Sequence, residues 1–240
     1  MRLNSFLNEL SSVYGKGLTM IDIDETIFKT FAMIHVIDKN TDEVIRKLNN
    51  QEYNTYELKS NEHFDFHEFR DAKVFRETSI PIKQTIKRIK RMFQNIDIRG
   101  SKVVLLTARA DFDDKKSFLK KFKEAGLPID QMYVERVGNF IENPEIYKSI
   151  IKKHGMPKNI ADAKRKVILN YLSTGEYRRV RLIDDNLENL LYFLKIEKKL
   201  PKAIIDKIKQ IHDIKGEENI KPIEFYALQV LDNGKLKRIK

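Results

Sequence analysis

Two aspartates, separated by a single residue, follow the first apolar segment of the chain. The stretch reads LTMIDIDET, so Asp22 and Asp24 stand at the end of a short hydrophobic run. Burying a carboxylate is costly unless the group is paired or binds a metal ion. The pattern therefore indicates chemistry: one carboxylate can act as a nucleophile while its neighbour moves protons.

Other polar residues end later apolar segments in the same way. Thr107 closes KVVLLT, and Asp184 and Asp185 close RVRLIDD. The spacing of apolar residues also predicts a helix over 162–173, in which Lys164 lies one turn before Ile168 on the side facing the core. A lysine in that position must reach a negative group, whereas Lys166 lies on a different side and is expected to be solvated.

These residues require a scaffold of alternating strands and helices. The apolar segments predict strands at 18–24, 102–107, 131–135 and 179–184. Amphipathic patterns predict helices at 81–93, 113–126, 145–153, 162–173 and 186–195, the last with Leu187, Leu190, Leu191 and Leu194 at helical spacing. The alternation predicts an α/β fold, a Rossmann-like and mostly parallel sheet with helices on both faces. Ligands of such sheets bind beyond the carboxyl ends of the strands, where the polar residues would converge.

Two regions interrupt this alternation. The segment MIHVIDKNTDEVIRKL predicts a β-hairpin within an insertion at 27–80, and IEFYALQVLDNGKLKRI predicts a second hairpin near the end of the chain. We therefore predict a core formed by 1–26 and 81–240, with 27–80 as a small cap. The insertion contains His35, His63 and His67, but a metal site there would need a cluster that the sequence does not show.

The converging residues also indicate a cation. Several carboxylates at one point need a hard metal ion, and a set of oxygen ligands suits Mg²⁺, which often also takes a substrate phosphate oxygen. Thr107 and Lys164 would then supply a hydroxyl and a positive charge to the other phosphate oxygens. Arg109 follows Thr107 by two residues, and either contacts phosphate or pairs structurally.

The motifs and their order resemble those of the haloacid dehalogenase superfamily of phosphohydrolases. The stretch DIDET matches its first motif at Asp22, Asp24 and Thr26; the remaining three motifs are matched by Thr107, by Lys164, and by the acidic pair Asp184 and Asp185. Together they cover residues 18 to about 195. The stretches KVVLLTAR, GLPIDQMYV and YRRVRLIDDNLENL are further similar to small phage-encoded members of this superfamily.

The resemblance implies a role for each matched residue. Asp22 would be the nucleophile that forms an aspartyl-phosphate, and Asp24 would protonate the leaving oxygen and then activate water. Thr107 and Lys164 would hold the phosphoryl oxygens. The Mg²⁺ ligands would be Asp22, the backbone carbonyl of Asp24, Asp184 and, directly or through water, Asp185.

Two other classes of protein use similar residues. A phospho-acceptor receiver domain also carries acidic residues, Thr and Lys at strand ends, but there the acidic pair comes first, whereas in this chain it comes last. The remaining alternative is a protein that kept the fold, lost its catalysis, and binds nucleic acid or another partner. No motif is broken in this sequence, which favours the enzyme.

The amino-acid composition limits which binding partners and bound groups the protein can have. The 46 basic and 35 acidic residues give a net charge of +11, which fits either a solvated basic surface or nucleic-acid binding. The expected substrate is a phosphorylated small molecule, such as a nucleotide, or a nucleic-acid phosphate end. The absence of cysteine excludes disulfides and thiolate zinc sites. No apolar run is long enough to span a membrane, so we expect a cytoplasmic protein, in the host cytoplasm if it is phage-encoded.

Overall fold

A computed structural model describes residues 15–53, 55–94, 100–214 and 221–240. Numbered in chain order, its strands are β1 (Lys16–Ile21), β2 (Phe28–Lys29), β3 (Ile34–Asp38), β4 (Val44–Leu48), β5 (Glu62–Asp65), β6 (Ile80–Pro81), β7 (Lys102–Thr107), β8 (Tyr133–Arg136), β9 (Tyr177–Asp184), β10 (Glu224–Val230) and β11 (Leu236–Arg238). Its α-helices are α1 (Asn50–Tyr53), α2 (Ala72–Thr78), α3 (Lys83–Phe93), α4 (Lys115–Glu124), α5 (Asn139–Glu142), α6 (Lys148–His154), α7 (Ile160–Leu172), α8 (Leu187–Lys198) and α9 (Lys202–Ile211). Short 3₁₀ turns cover His67–Arg70, Ile129–Gln131 and Pro144–Tyr147.

The main sheet has the strand order β11-β10-β9-β1-β7-β8 in the described part of the chain. All its neighbouring strands pair in parallel except β10 and β11. The chain builds outward from β1 through β7 to β8, then crosses back to place β9 and β10 on the other side of β1. This confirms the predicted α/β fold with a mostly parallel sheet, and it puts the switch in strand order between β1 and β9.

Helices cover both faces of this sheet, because alternate residues of each strand are buried on opposite sides. Leu18 and Met20 of β1 belong to an apolar cluster with residues of α7, α8 and α9. Ile21 belongs to a second cluster, on the other face, with residues of α2, α3 and α4. Strands that are buried on both faces read as continuous apolar runs, which is why the sequence revealed them.

The predicted insertion holds the hairpin expected from its sequence. Strands β3 and β4 pair in antiparallel fashion, and β5 joins the other edge of β3 to make a three-stranded sheet. The short strands β2 and β6 pair at the two ends of the insertion. The helix α2, near the end of the insertion, packs against the main body. Its Phe75 ring meets Phe28 edge-on and lies tilted against Phe122.

The predicted hairpin near the end of the chain is confirmed, and it forms part of the main sheet. Strands β10 and β11 are antiparallel, and Gly234 in the connecting turn has a φ of 73°, which glycine adopts without steric cost. The first strand of the hairpin pairs with β9 in parallel. A local sequence pattern shows a hairpin, but it does not show which strand the hairpin joins.

Several details differ from the sequence-based predictions. The segment 145–153, predicted as one helix, is the end of a 3₁₀ turn followed by α6, and Pro81 of the predicted helix 81–93 lies in β6. The first strand ends at Ile21, because the carbonyl of Ile23 accepts hydrogen bonds from the amides of a tight turn. Leu187 and Leu191 of α8 are exposed, and the helix instead buries a face that includes Phe193 and Ile196 beside Leu190. The helix α9 was not predicted. Among the described residues, no helix combines the length and the apolar character needed to cross a membrane.

Candidate active site

Three predicted site residues meet at the switch in strand order. Asp22 follows β1, Asp184 ends β9, and the ammonium of Lys164 lies between their carboxylates. Lys164 Nζ donates to Asp22 Oδ1 at 2.7 Å and to Asp184 Oδ2 at 2.8 Å. All three residues are buried. The amide of Asp22 also donates to the carbonyl of Ile183 at 2.9 Å, so backbone pairing fixes the two strand ends together.

The helix α7 positions Lys164. The Asn159 side chain caps this helix by accepting from the amide of Asp162 at 2.9 Å, which fixes where its first turn begins. The apolar face of the helix, with Val167 and Ile168, packs in the core. Lys164 lies one turn earlier on that face and therefore extends over the strand ends.

Asp184 is held by donors from the start of the next helix. Its Oδ1 accepts from the amide of Asn186 at 3.0 Å and from the side-chain amide of Asn189 at 2.9 Å. The N-cap of α8 is Asn186, which accepts from the amide of Glu188. The fully buried carboxylate of Asp184 therefore keeps Oδ2 directed at Lys164.

Asp185 joins the same group from its other side. Its Oδ1 accepts from the Thr26 hydroxyl at 3.2 Å, and its amide donates to that hydroxyl oxygen at 3.0 Å. Gln229 of β10 donates to the Asp185 carbonyl at 3.1 Å. Carboxylate oxygens of Asp22, Asp184 and Asp185 lie within 4.8 Å of one another.

Burial shifts the pKa values of this group. It raises the pKa of Asp22 well above the ordinary value, against the effect of Lys164, and the neighbouring carboxylates raise it further. It also raises the pKa of Asp185 to about 7, with a contribution from Asp184. Burial alone would lower the pKa of Lys164, but Asp184 and Asp22 raise it above its usual value. Among these described groups, three carboxyl groups face one ammonium, and the raised pKa values of Asp22 and Asp185 reflect negative charge that Lys164 alone does not compensate and that a divalent cation would balance.

Asp24 lies outside this group and pairs with Arg109. The guanidinium donates from Nε to Asp24 Oδ2 at 2.9 Å and from Nη2 to Oδ1 at 2.7 Å, which is a two-pronged ion pair. Its Nη1 donates to the carbonyl of Phe69 at 2.5 Å, and its face lies 4.9 Å from the Phe69 ring centre. Of the two roles considered for Arg109, the structure shows the one in which this residue pairs with another side chain, that of Asp24.

Thr107 lies on the neighbouring strand at the same edge. Ile21 of β1 is in register with Leu105, so Thr107 extends two residues further, level with the Asp22–Asp24 segment. It is fully buried, its hydroxyl accepts from the amide of Arg109 at 3.1 Å, and its carbonyl accepts from the amide of Val137. The hydroxyl thus orients the loop that carries Arg109.

The expectation that Lys166 is solvated was wrong. This residue is buried, and its ammonium donates to the carbonyl of His154 and lies 3.6 Å from Asp162. The helix α7 is covered on more than one side, because α6 also packs against it. Of the two lysines, Lys164 is the one that contacts the carboxylates of Asp22 and Asp184.

Sequence reasoning missed two supporting side chains and one cluster. Asn189 could have been recognised in the sequence, because it is a polar residue within the apolar pattern of α8. No sequence pattern pointed to Gln229. In the insertion, atoms of His35, His67 and Glu68 come within 4.8 Å of one another. The sequence showed the two histidines but not the fold that brings them together.

Comparison of the chain with protein-family models, curated proteins and solved structures found no significant match.

Proposed function

We propose that this chain is a divalent-cation-dependent phosphohydrolase of the haloacid dehalogenase type, acting on a phosphate monoester. The observation that carries the proposal is the contact of Lys164 with both Asp22 and Asp184 at the switch in strand order. Asp24 stands two residues from Asp22 with a different partner. Two carboxylates in different surroundings can take different roles in one reaction.

In the first step, an oxygen of Asp22 attacks the substrate phosphorus while the bond from phosphorus to the leaving oxygen breaks. The leaving oxygen takes a proton from Asp24, and the product is phosphorylated Asp22. Lys164 lies against Asp22 and stabilises the negative charge of the transferring phosphoryl group. Thr107 is level with the same segment and is the second residue assigned to the phosphoryl oxygens.

In the second step, Asp24 takes a proton from a water molecule, whose oxygen attacks phosphorus. The bond between phosphorus and Asp22 breaks, which releases phosphate and restores the carboxylate. The Arg109 ion pair holds both carboxylate oxygens of Asp24 and fixes the orientation of this side chain. We assign to Arg109 the positioning of Asp24 for these two proton transfers.

The residues present fit a bound Mg²⁺. Oxygen ligands from Asp22, Asp184 and Asp185 lie within 4.8 Å of one another, and their charge exceeds that of Lys164. With the backbone carbonyl of Asp24, these are the residues that would hold the ion. When bound, the cation would offset the charge of the phosphate oxygens and of the carboxylates.

The proposed substrate is a nucleotide or a phosphorylated end of a nucleic acid. The helix α3 begins just beyond β6, whose partner β2 follows the Asp22–Asp24 turn. A groove on α3 is lined by Lys83, Lys87, Lys90 and Arg91, all of them exposed. Cations on a groove attract phosphate backbones without reading their sequence.

Rapid-mixing assays with nitrophenyl phosphate and Mg²⁺ test the two aspartates. Asp22→Asn should have no turnover, because it removes the nucleophile. Asp24→Asn should release a burst of up to about one nitrophenolate per active site and then stall, because this leaving group hardly needs an acid but water still needs a base. The wild type must cleave this substrate and lose activity in EDTA.

Radiolabelled phosphate identifies the phosphorylated residue. Asp24→Asn should retain label on Asp22, and the double variant with Asp22→Asn should retain none. Substantial activity in Asp22→Asn, or label on another residue, would overturn the proposal. Absence of turnover for every phosphate monoester, alongside tight oligonucleotide binding, would favour the binding protein that has lost its catalysis.

A further inference from the structure

The insertion contains a cluster of possible metal ligands outside the proposed active site. His35 lies in β3, and His67 and Glu68 begin the 3₁₀ turn after β5. His35 Nε2 is 2.7 Å from Glu68 Oε1, and the two histidine rings meet edge to face with centres 4.5 Å apart. One ligand atom from each of the three side chains lies within 4.8 Å of the others.

Neighbouring groups hold these side chains in place. His67 Nδ1 contacts Asp65 Oδ2, and Asp65 is the cross-strand partner of His35. The amide of Met33 donates to Glu68 Oε2 at 2.8 Å, which leaves Oε1 directed at His35. A carboxylate that orients a histidine ring, and a donor that orients a carboxylate, are the outer contacts that metal ligands usually have.

We propose that His35, His67 and Glu68 bind a divalent transition-metal ion, with Zn²⁺ as the representative ion. Two imidazoles and one carboxylate form a ligand set that suits zinc and not magnesium. The protein would supply three ligands and leave a fourth position for water. The site is distinct from the oxygen-only site at Asp22, and it does not depend on the proposed phosphohydrolase activity.

The geometry of the cluster is close to what such an ion needs. Ligand atoms at about 2.1 Å from a tetrahedral ion lie about 3.4 Å apart. To bind the ion, the pair of atoms at 2.7 Å would open and the separations of up to 4.8 Å would close to that value through side-chain rotations. The His35 side chain is 7% exposed and that of Glu68 is 26% exposed, whereas His67 is open to solvent and gives an ion access.

A lysine beside the cluster opposes cation binding and provides a sharp test. Lys47 is the cross-strand neighbour of His35 on β4, and its Nζ lies 3.5 Å from Glu68 Oε1. Its ammonium shares the carboxylate that the ion would use. Removing this charge should weaken a purely structural hydrogen-bond cluster but strengthen a metal site.

An ion at this position would link β3 to the turn that contacts the proposed active site. The turn His67–Arg70 also contains Phe69, whose carbonyl accepts from Arg109, and Arg109 holds Asp24. Fixing the turn would therefore restrict the partner of Asp24. This is a positioning effect, since none of the three ligands contacts Asp24 in the described contacts.

The test measures Zn²⁺ affinity of the full chain by competition with a chromophoric chelator. Excess Mg²⁺ competes with Zn²⁺ for the oxygen-only site, and the readout requires no substrate. The wild type should bind one Zn²⁺ per chain under these conditions. His35→Gln, His67→Gln and Glu68→Gln should each lower the affinity at least about ten-fold, and Asp65→Asn about 10- to 100-fold. The matched control His63→Gln, in the same small sheet, should bind as the wild type does.

Lys47→Gln should bind Zn²⁺ more tightly than the wild type, and because this residue is exposed its replacement does not threaten folding. Thermal unfolding in EDTA identifies any variant that fails to fold. If the ligand variants do not fold, the Zn²⁺ affinity of Lys47→Gln decides whether the proposal holds. The proposal is overturned if Lys47→Gln weakens binding, if His63→Gln loses as much affinity as His35→Gln, or if the wild type binds no Zn²⁺ once Mg²⁺ is in excess.

Discussion

Lys164 joins two carboxylates that come from opposite sides of the strand-order switch. Its side chain is 3% exposed, and the same values for Asp22 and Asp184 are 8% and 0%. Buried ion pairs add little net stability compared with apolar replacements, but removing one partner is expensive because it leaves an uncompensated charge. The stability of the site therefore depends on this lysine whether or not catalysis does.

Lys164→Gln should lower the free energy of unfolding by about 3–5 kcal/mol in EDTA. Mg²⁺ should recover more of that loss than it adds to the wild type, because a cation can replace the missing positive charge. Urea unfolding with and without Mg²⁺ measures both effects. Lys166→Gln is the control: its partners are the His154 carbonyl and Asp162, so its loss should not respond to Mg²⁺. Equal Mg²⁺ responses in the two variants would contradict this account.

Arg109→Lys should separate positioning of Asp24 from binding of phosphate. Lysine keeps the charge but cannot form the two-pronged contact, so Asp24 loses its fixed orientation. If Arg109 positions Asp24, kcat should fall by up to about 100-fold while KM stays near the wild-type value. Steady-state kinetics decide: a higher KM with kcat retained would instead indicate that Arg109 binds the substrate phosphate. Arg76→Lys, in an exposed pair with Glu124, should change neither value.

At the scale of elements, the loop after β7 depends on close contact with the start of α5. A Cβ on Gly138 would lie 2.5 Å from the carbonyl oxygen of Ala108 and 2.8 Å from the amide of Ala110. The φ of Gly138 is −55°, which any residue adopts, so the obstacle is space and not backbone strain. The loop that holds Arg109 must move if this position carries a side chain.

Gly138→Ala should therefore destabilise the protein by about 1–3 kcal/mol, the usual cost of overpacking. It should also lower kcat, because the displaced loop carries Arg109 away from Asp24. Denaturant unfolding and steady-state kinetics measure the two effects. The control is Gly17→Ala, where the nearest atom is the Ser101 hydroxyl at 3.1 Å, and only a small loss of stability is expected. Wild-type kinetics in Gly138→Ala would show that the loop tolerates displacement.

Much of the element order could be predicted because the parallel strands are buried on both faces and most of the helices on one. The meeting of Asp22, Lys164 and Asp184 was also predictable, since the carboxyl ends of parallel strands share an edge. Contacts that depend on loops were not predictable: the pairing of Arg109 with Asp24 and the histidine cluster require tertiary geometry. The burial of Lys166 was missed because a sequence pattern does not show how many neighbours cover a helix.

At the scale of the whole molecule, the net charge of +11 acts through particular surfaces. If the groove on α3 binds a polynucleotide, the logarithm of the affinity should fall with the logarithm of the salt concentration, with a slope of about −0.7 per phosphate contacted on a single strand. Lys87→Glu with Lys90→Glu should reduce that slope, measured by fluorescence anisotropy of a labelled oligonucleotide. The control, Lys152→Glu with Lys153→Glu on α6, removes the same charge elsewhere and should leave the slope near that of the wild type. A flat response in the wild type would assign the charge to a solvated surface.

The crossover of the chain at β1 also determines when the site can assemble. Asp22 and Lys164 are 142 positions apart, and Thr26 and Asp185 are 159 apart. During synthesis from the amino end, the nascent chain carries Asp22 and Asp24 long before α7 and β9 emerge. Only then can Lys164 compensate the charge of Asp22 and Asp184 complete the cluster. Contacts of such long range form late and slow the folding of a domain. The growing chain thus completes its carboxylate cluster only after the segment from β1 through β9 has left the ribosome, so a fragment that ends before α7 should lack the proposed Mg²⁺ site.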